Sequence, residues 1–105
     1  MADERVEAVS RLWRAHVQAP FPPRQRGAEI AGVEMILLDA DIAGCVCVWL
    51  DRSGQLDARR RSVIASCLDK LNLVLPLLVD QEADYYRRLR DLAALVCGES
   101  ATADG

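Results

Sequence analysis

The stretch AEIAGVEMILLDADIAGCVCVWLDR, Ala28 to Arg52, decides how this chain is read, because it is the most apolar part of the sequence and fits two folds. As a helix it is apolar nearly all round, is closed by Gly54 as a C-terminal glycine cap, and forms the centre of an all-α protein. As strands, Val33–Asp39 and Cys45–Asp51 give a hairpin at residues 33–51 and an α+β fold. The segment that would turn this hairpin, Ala40-Asp41-Ile42-Ala43, lacks an Asn-Gly or Asp-Gly pair, and its alanines and neighbouring leucines favour helix. The reading taken is therefore a long helix over 28–52, with the hairpin as its alternative. Within it, Ile30 to Leu50 is long enough to span a bilayer, yet Glu34, Asp39 and Asp41 would each cost roughly 2.5 to 3.5 kcal/mol near a membrane centre.

Outward from this segment, Val6, Val9, Trp13 and Val17 recur at helical spacing and predict a helix over 3–19, with Leu12 and His16 on its flank. Pro20-Phe21-Pro22-Pro23 ends that helix, because proline lacks an amide donor and restricts the residue before it. A link then runs to about Gly27. Asp57 is a candidate N-cap for a helix over 57–79, in which Ile64, Leu68, Leu71, Leu75 and Leu78 alternate steps of four and three. Pro76 should kink that helix or end it early. Asp80 can cap a fourth helix over 81–97 that turns Tyr85, Leu89, Leu92 and Val96 inward, and Gly98 closes it. The sum is an antiparallel four-helix bundle in a single domain over 1–98, with a frayed polar tail at 99–105. Its second and third helices, at about 35 Å, would outreach the others at about 25 Å and leave apolar ends for a second copy to cover.

Composition bounds the function classes. A chain of 105 residues holds one domain, and 51% hydrophobic with 28% charged residues suits a globular fold. A net charge of −3 argues against a dedicated nucleic-acid binder. Two tryptophans, two tyrosines and one phenylalanine are few for stacking bases or lining a large cofactor pocket. The acidic start Met1-Ala2-Asp3-Glu4 does not read as an export signal, so the four cysteines are expected as reduced thiols in the cytoplasm.

Four groups of residues are candidates for a site. On a wheel of 100° per residue, Glu34, Asp41 and Arg52 form a solvent stripe, whereas Asp39 falls among Gly32, Ile36, Ala43, Cys47 and Leu50 on the buried side. A buried carboxylate needs a partner, and an arginine, a tyrosine hydroxyl or His16 would serve; the alternative is a catalytic or ligand-binding acid. The second group is the ridge Gly32, Ile36, Ala40, Gly44 and Val48, continued from Ala28 in steps of four, which invites a close helix crossing or a dimer seam. Third, Arg59, Arg60 and Arg61 place positive charge at the positive end of a helix dipole, an unfavourable arrangement that acids of the chain or a bound anion would answer. Arg87, Arg88 and Arg90 form a further basic group beside Asp84 and Asp91. Last, Cys45-x-Cys47 with Cys67, Cys97 and His16 has ligand types that suit zinc, but the first two cysteines point about 200° apart on a helix, so no metal and no cofactor is expected.

The function expected is therefore that of a small non-catalytic helical protein acting through protein–protein interaction or as a homodimer. The alternatives are a small-ligand or enzyme site at Asp39, and binding of an anionic surface or nucleic acid through Arg59–Arg61 and Arg87–Arg90.

Overall fold

Glycine and proline divide the chain into its elements. The computed structural model describes residues 2–98, so the expected tail at 99–105 lies outside the described residues. It contains four helices, α1 (Ala2–Gln18), α2 (Met35–Asp51), α3 (Ala58–Val74) and α4 (Asp80–Cys97), and a two-stranded antiparallel ribbon of β1 (Glu29–Ile30) and β2 (Val33–Glu34). The mostly helical class follows. No helix among the described residues is long and apolar enough to cross a membrane.

The decisive stretch is helical from Met35 onward, so the hairpin over 33–51 does not form, but the helix expected from Ala28 starts seven residues late. Residues before Met35 make the small ribbon, with Glu29 opposite Glu34 and Ile30 opposite Val33. Its turn is Ala31-Gly32, whose φ angles of 51° and 80° are those of the turn that matches strand twist. Gly32 supplies the left-handed conformation at little cost and thereby stops the helix from extending backward. The Met35 amide closes the ribbon on the Ala28 carbonyl at 3.1 Å.

Pro76 acts as its chemistry requires: α3 stops at Val74, and one 3-10 turn, Leu75–Leu77, leads to α4. All four helices are thus 17 or 18 residues long, and the expected inequality in length is absent. Asp57 does precede α3, but its carboxylate bonds Arg60 rather than a helix amide. Asp80 is the first residue of α4 instead of its cap, with Val79 in the capping position. At the other end Gly98, at φ 76°, takes the left-handed conformation that ends α4.

Core residues come from every helix, and α4 packs against each of the other three. Ile64, Leu68, Leu71 and Leu78 of the four-three pattern are buried, as are Tyr85, Leu89, Leu92 and Val96 of α4. In α1 Val9 is buried and Val6 and Trp13 are partly so, as the expected face requires, but at the end of the helix the stripe passes to His16, 4% exposed, while Val17 is 57% exposed. Arg5 ties the two termini of this layer together: its Nε and an Nη donate to the Leu95 and Val96 carbonyls, and its guanidinium lies 5.6 Å from the Trp49 ring. A cation on the open carbonyls at a helix C-terminus satisfies them and complements the dipole.

Candidate functional site

Three helices meet at a polar cluster built from His16, Asp39, Tyr85 and Arg88. The end of α1 supplies His16, the second turn of α2 supplies Asp39, and α4 presents Tyr85 and Arg88 one turn apart on one face. The Tyr85 hydroxyl donates to Asp39 Oδ2 at 2.8 Å. His16 Nε2 faces Asp39 Oδ1 at 3.6 Å, too far for a direct hydrogen bond. On the other side of the imidazole, Arg88 Nε donates to Nδ1 at 3.4 Å, which assigns the ring proton to Nε2, facing the carboxylate. Both ring nitrogens of the buried histidine therefore face protein groups, and neither presents an edge to a substrate.

Aromatic rings enclose this cluster. His16 stacks at a tilt on Tyr85 with centroids 4.6 Å apart, Phe21 meets Tyr85 edge-on at 5.4 Å, and Tyr86 lies 5.2 Å from Tyr85. Burial and the hydrogen bond to Asp39 push the Tyr85 hydroxyl far above its ordinary value, and burial does the same to Tyr86. Both phenols are therefore fixed as neutral donors. Tyr86 gives its proton to the Met35 carbonyl at 3.0 Å and so pins the start of α2 to α4.

Asp39 is half-buried and has a tyrosine hydroxyl as its partner, as expected of it, but the face of α2 on which the wheel placed it is not the one that packs inward. The Asp39 side chain keeps 20% exposure at the edge of the core, while Ile36 and Cys47, its expected companions inside, are exposed. Residues that do face inward are Met35, Leu38, Ile42, Cys45, Val46 and Trp49. A helix apolar on every side gives its own sequence no stripe to read, so the phase is set by what packs against it. The ridge changes accordingly. Gly32 belongs to the ribbon turn, while Ile36, Ala40 and Gly44 face solvent and Val48 is half-buried, so no helix among the described residues crosses over the ridge at Gly44.

The arginines at the start of α3 are answered in part by the chain itself. Arg60 pairs with Asp57 at 2.9 Å, which holds that carboxyl below its usual range, and Arg61 donates to the Leu56 carbonyl at 2.8 Å. Arg59 is exposed. On α4, Arg87 pairs with Asp84 at 3.0 Å and Arg90 lies 3.7 Å from Asp91. Cys45, Cys47 and Cys67 are free thiols. Cys45 is buried and Cys47 exposed, on different sides of α2, and burial raises the Cys45 thiol and pushes Cys67 up to about 11. Among the described residues, no group of three or more His, Cys, Asp or Glu side chains is placed to hold a metal ion.

His16 and a tyrosine hydroxyl were among the partners the sequence offered for Asp39, and Tyr85 was legible as a core residue, but Arg88 was legible only as part of a basic group and not as the fourth member. The signal was Tyr85-x-x-Arg88 at one-turn spacing, which shows only that the two share a face. No family model matches the chain, and no curated protein or solved structure matches it either.

Proposed function

We propose that the protein acts by self-association, a second copy covering the outer face of α2, and that its helices are arranged as an antiparallel bundle in one domain. The observation that carries this reading is Gly44. It sits inside a helix, where glycine costs about 1 kcal/mol relative to alanine, and a Cβ built on it would meet nothing within 4 Å. Nothing in the packing of the described residues calls for a glycine there. Around it lie exposed Ile36 and Ala40, half-buried Val48, and Leu37 at 54% exposure, an apolar helix face left largely uncovered by the described residues. Small residues in steps of four let two helix backbones approach closely.

The flanking charges suit a two-fold seam. A groove of 560 Å³ beside Gly44 is lined by Asp41 on α2 and by Asp57, Arg59 and Arg60 around the start of α3; Arg60 is taken by Asp57, which leaves Arg59 to receive the Asp41 of a mate related by two-fold symmetry. Three free thiols, Cys45, Cys47 and Cys67, two of them buried, suit a reducing compartment such as the cytoplasm.

Sedimentation equilibrium tests the reading. The chain is expected to be dimeric at tens of micromolar, the regime of a modest interface. Gly44→Arg should be monomeric with an unchanged helical circular dichroism spectrum. Leu77→Glu, at a 60% exposed residue far along the chain from α2, should remain dimeric. A wild-type chain that stays monomeric at 100 µM, on the order of ten times a modest dissociation constant, refutes the proposal.

A further inference from the structure

Beside the polar cluster, the proline-rich link and the first half of α4 leave a groove of 380 Å³ between them, within the size range of small-molecule sites. Pro20, Phe21 and Pro22 form one wall, and Gln81, Tyr85 and Arg88 the other. Prolines fix the first wall with little conformational freedom left to lose on binding, so the groove is largely preformed.

Arg88 gives this groove its chemistry. Its Nε is tied to His16 Nδ1 and its guanidinium stands 6.0 Å from the centre of the Tyr85 ring, which together hold the planar group in one orientation. Its two Nη amino groups make no hydrogen bond or ion pair with any described residue. The groove's own acid, Asp84, is taken by Arg87 at 3.0 Å, and Asp39 is engaged by Tyr85. A half-buried, oriented guanidinium with a free fork of donors is the arrangement that receives a carboxylate through two parallel hydrogen bonds.

We propose that this groove binds a small organic acid, its carboxylate on the Nη edge of Arg88 and an aromatic or branched apolar body against Phe21 and the prolines. The site is separate from the outer face of α2 and does not depend on self-association. His16 acts behind it as a positioning residue, holding the arginine through its Nε.

Titration of the ¹⁵N-labelled chain with phenylacetate and with its neutral isostere phenylacetamide, at pH 7 and low salt, tests the proposal. Phenylacetate should shift the amides of Ala19, Phe21, Gln81 and the 84–88 segment with a Kd of about 1 mM, the range open to a ligand of this size. The amide should bind about ten-fold more weakly, because it loses the charge-assisted pair. Arg88→Met should remove the preference for the acid, and Asp84→Asn, which deletes a rim charge exposed to solvent, should tighten it a few-fold. Gly44→Arg should leave every shift unchanged. Equal affinity for acid and amide overturns the proposal. So do shifts centred on Arg59–Arg61, or no saturable response by 20 mM, on the order of twenty times the expected Kd. Should Arg88→Met fail to fold, the acid–amide comparison on the native chain and the effect of Asp84→Asn decide the matter.

Discussion

Replacing Asp39 by alanine removes the acceptor of the Tyr85 hydroxyl, and the structure sets the size of the loss. Tyr85 is 7% exposed and donates at 2.8 Å to a carboxylate, a hydrogen bond of the kind worth about 1.5 to 3 kcal/mol. Two observations keep the cost in the lower half of that range. The His16 contact at 3.6 Å adds no direct hydrogen bond, and with 20% of the Asp39 side chain exposed, water can reach the space the carboxylate leaves. Asp39→Ala is therefore expected to cost about 2 kcal/mol. Tyr85→Phe keeps the ring packing and leaves a carboxylate that water can reach, at about 1 kcal/mol. Because both single changes break the same bond, the double variant should cost about 2 kcal/mol, a coupling of about 1. Asp41→Ala, which removes no hydrogen bond or ion pair among the described residues, should stay within about 0.5 kcal/mol. Urea melts followed by circular dichroism at pH 7 and about 1 µM chain, below the regime of the proposed dimer, measure all four, with the denaturant slope expected to hold constant. Equal effects of Asp39→Ala and Asp41→Ala, or additivity in the double variant, would refute the assigned hydrogen bond.

Alkaline destabilisation should begin early. Cys67 is raised from 9.0 to about 11 by burial, and Tyr85 and Tyr86 are raised from 10.0 mainly by burial, so all three favour the protonated folded state. Their contribution is whole below the unfolded values and is lost as pH climbs, the thiol's between 9.0 and about 11 and the phenols' above 10.0. Urea midpoints should be flat from about pH 7 to 8.5 and fall beyond, with a shallower first fall in Cys67→Ala. Gly54→Ala should destabilise by about 1 to 2 kcal/mol in the same melts, since its φ of 97° strains any side chain and the new Cβ would stand 3.4 Å from the Trp49 ring. A chromogenic disulfide reagent should find one fast thiol, Cys47, with Cys45 and Cys67 reacting only on unfolding; four equal rates would contradict their burial.

The sequence by itself determined the helices and where they break. Periodicity over Ile64 to Leu78 and over Tyr85 to Val96 marked buried faces that the fold uses, because an amphipathic pattern carries its own direction. Pro76 and Gly98 ended helices by covalent constraints that no neighbour has to supply, whereas the glycine cap expected at Gly54 is displaced: α2 ends at Asp51, Arg52 is its C-cap, and Ser53 at φ 55° takes the left-handed turn before Gly54. Tertiary structure decided what those signals leave open. Ala28 to Glu34 has helical propensity, yet it folds as a ribbon because Gly32 permits a turn that closes Met35 onto Ala28, a contact propensity does not encode. The rotation of α2 was illegible because an apolar surface on every side is satisfied by any phase until α3 and α4 choose one. That choice sends Ile36, Ala40 and Gly44 outward and brings Asp39 to the core's edge beside Tyr85. Arg88 joins the cluster for the same reason: its bond to His16 spans two helices 72 residues apart in sequence, and only their packing makes them neighbours.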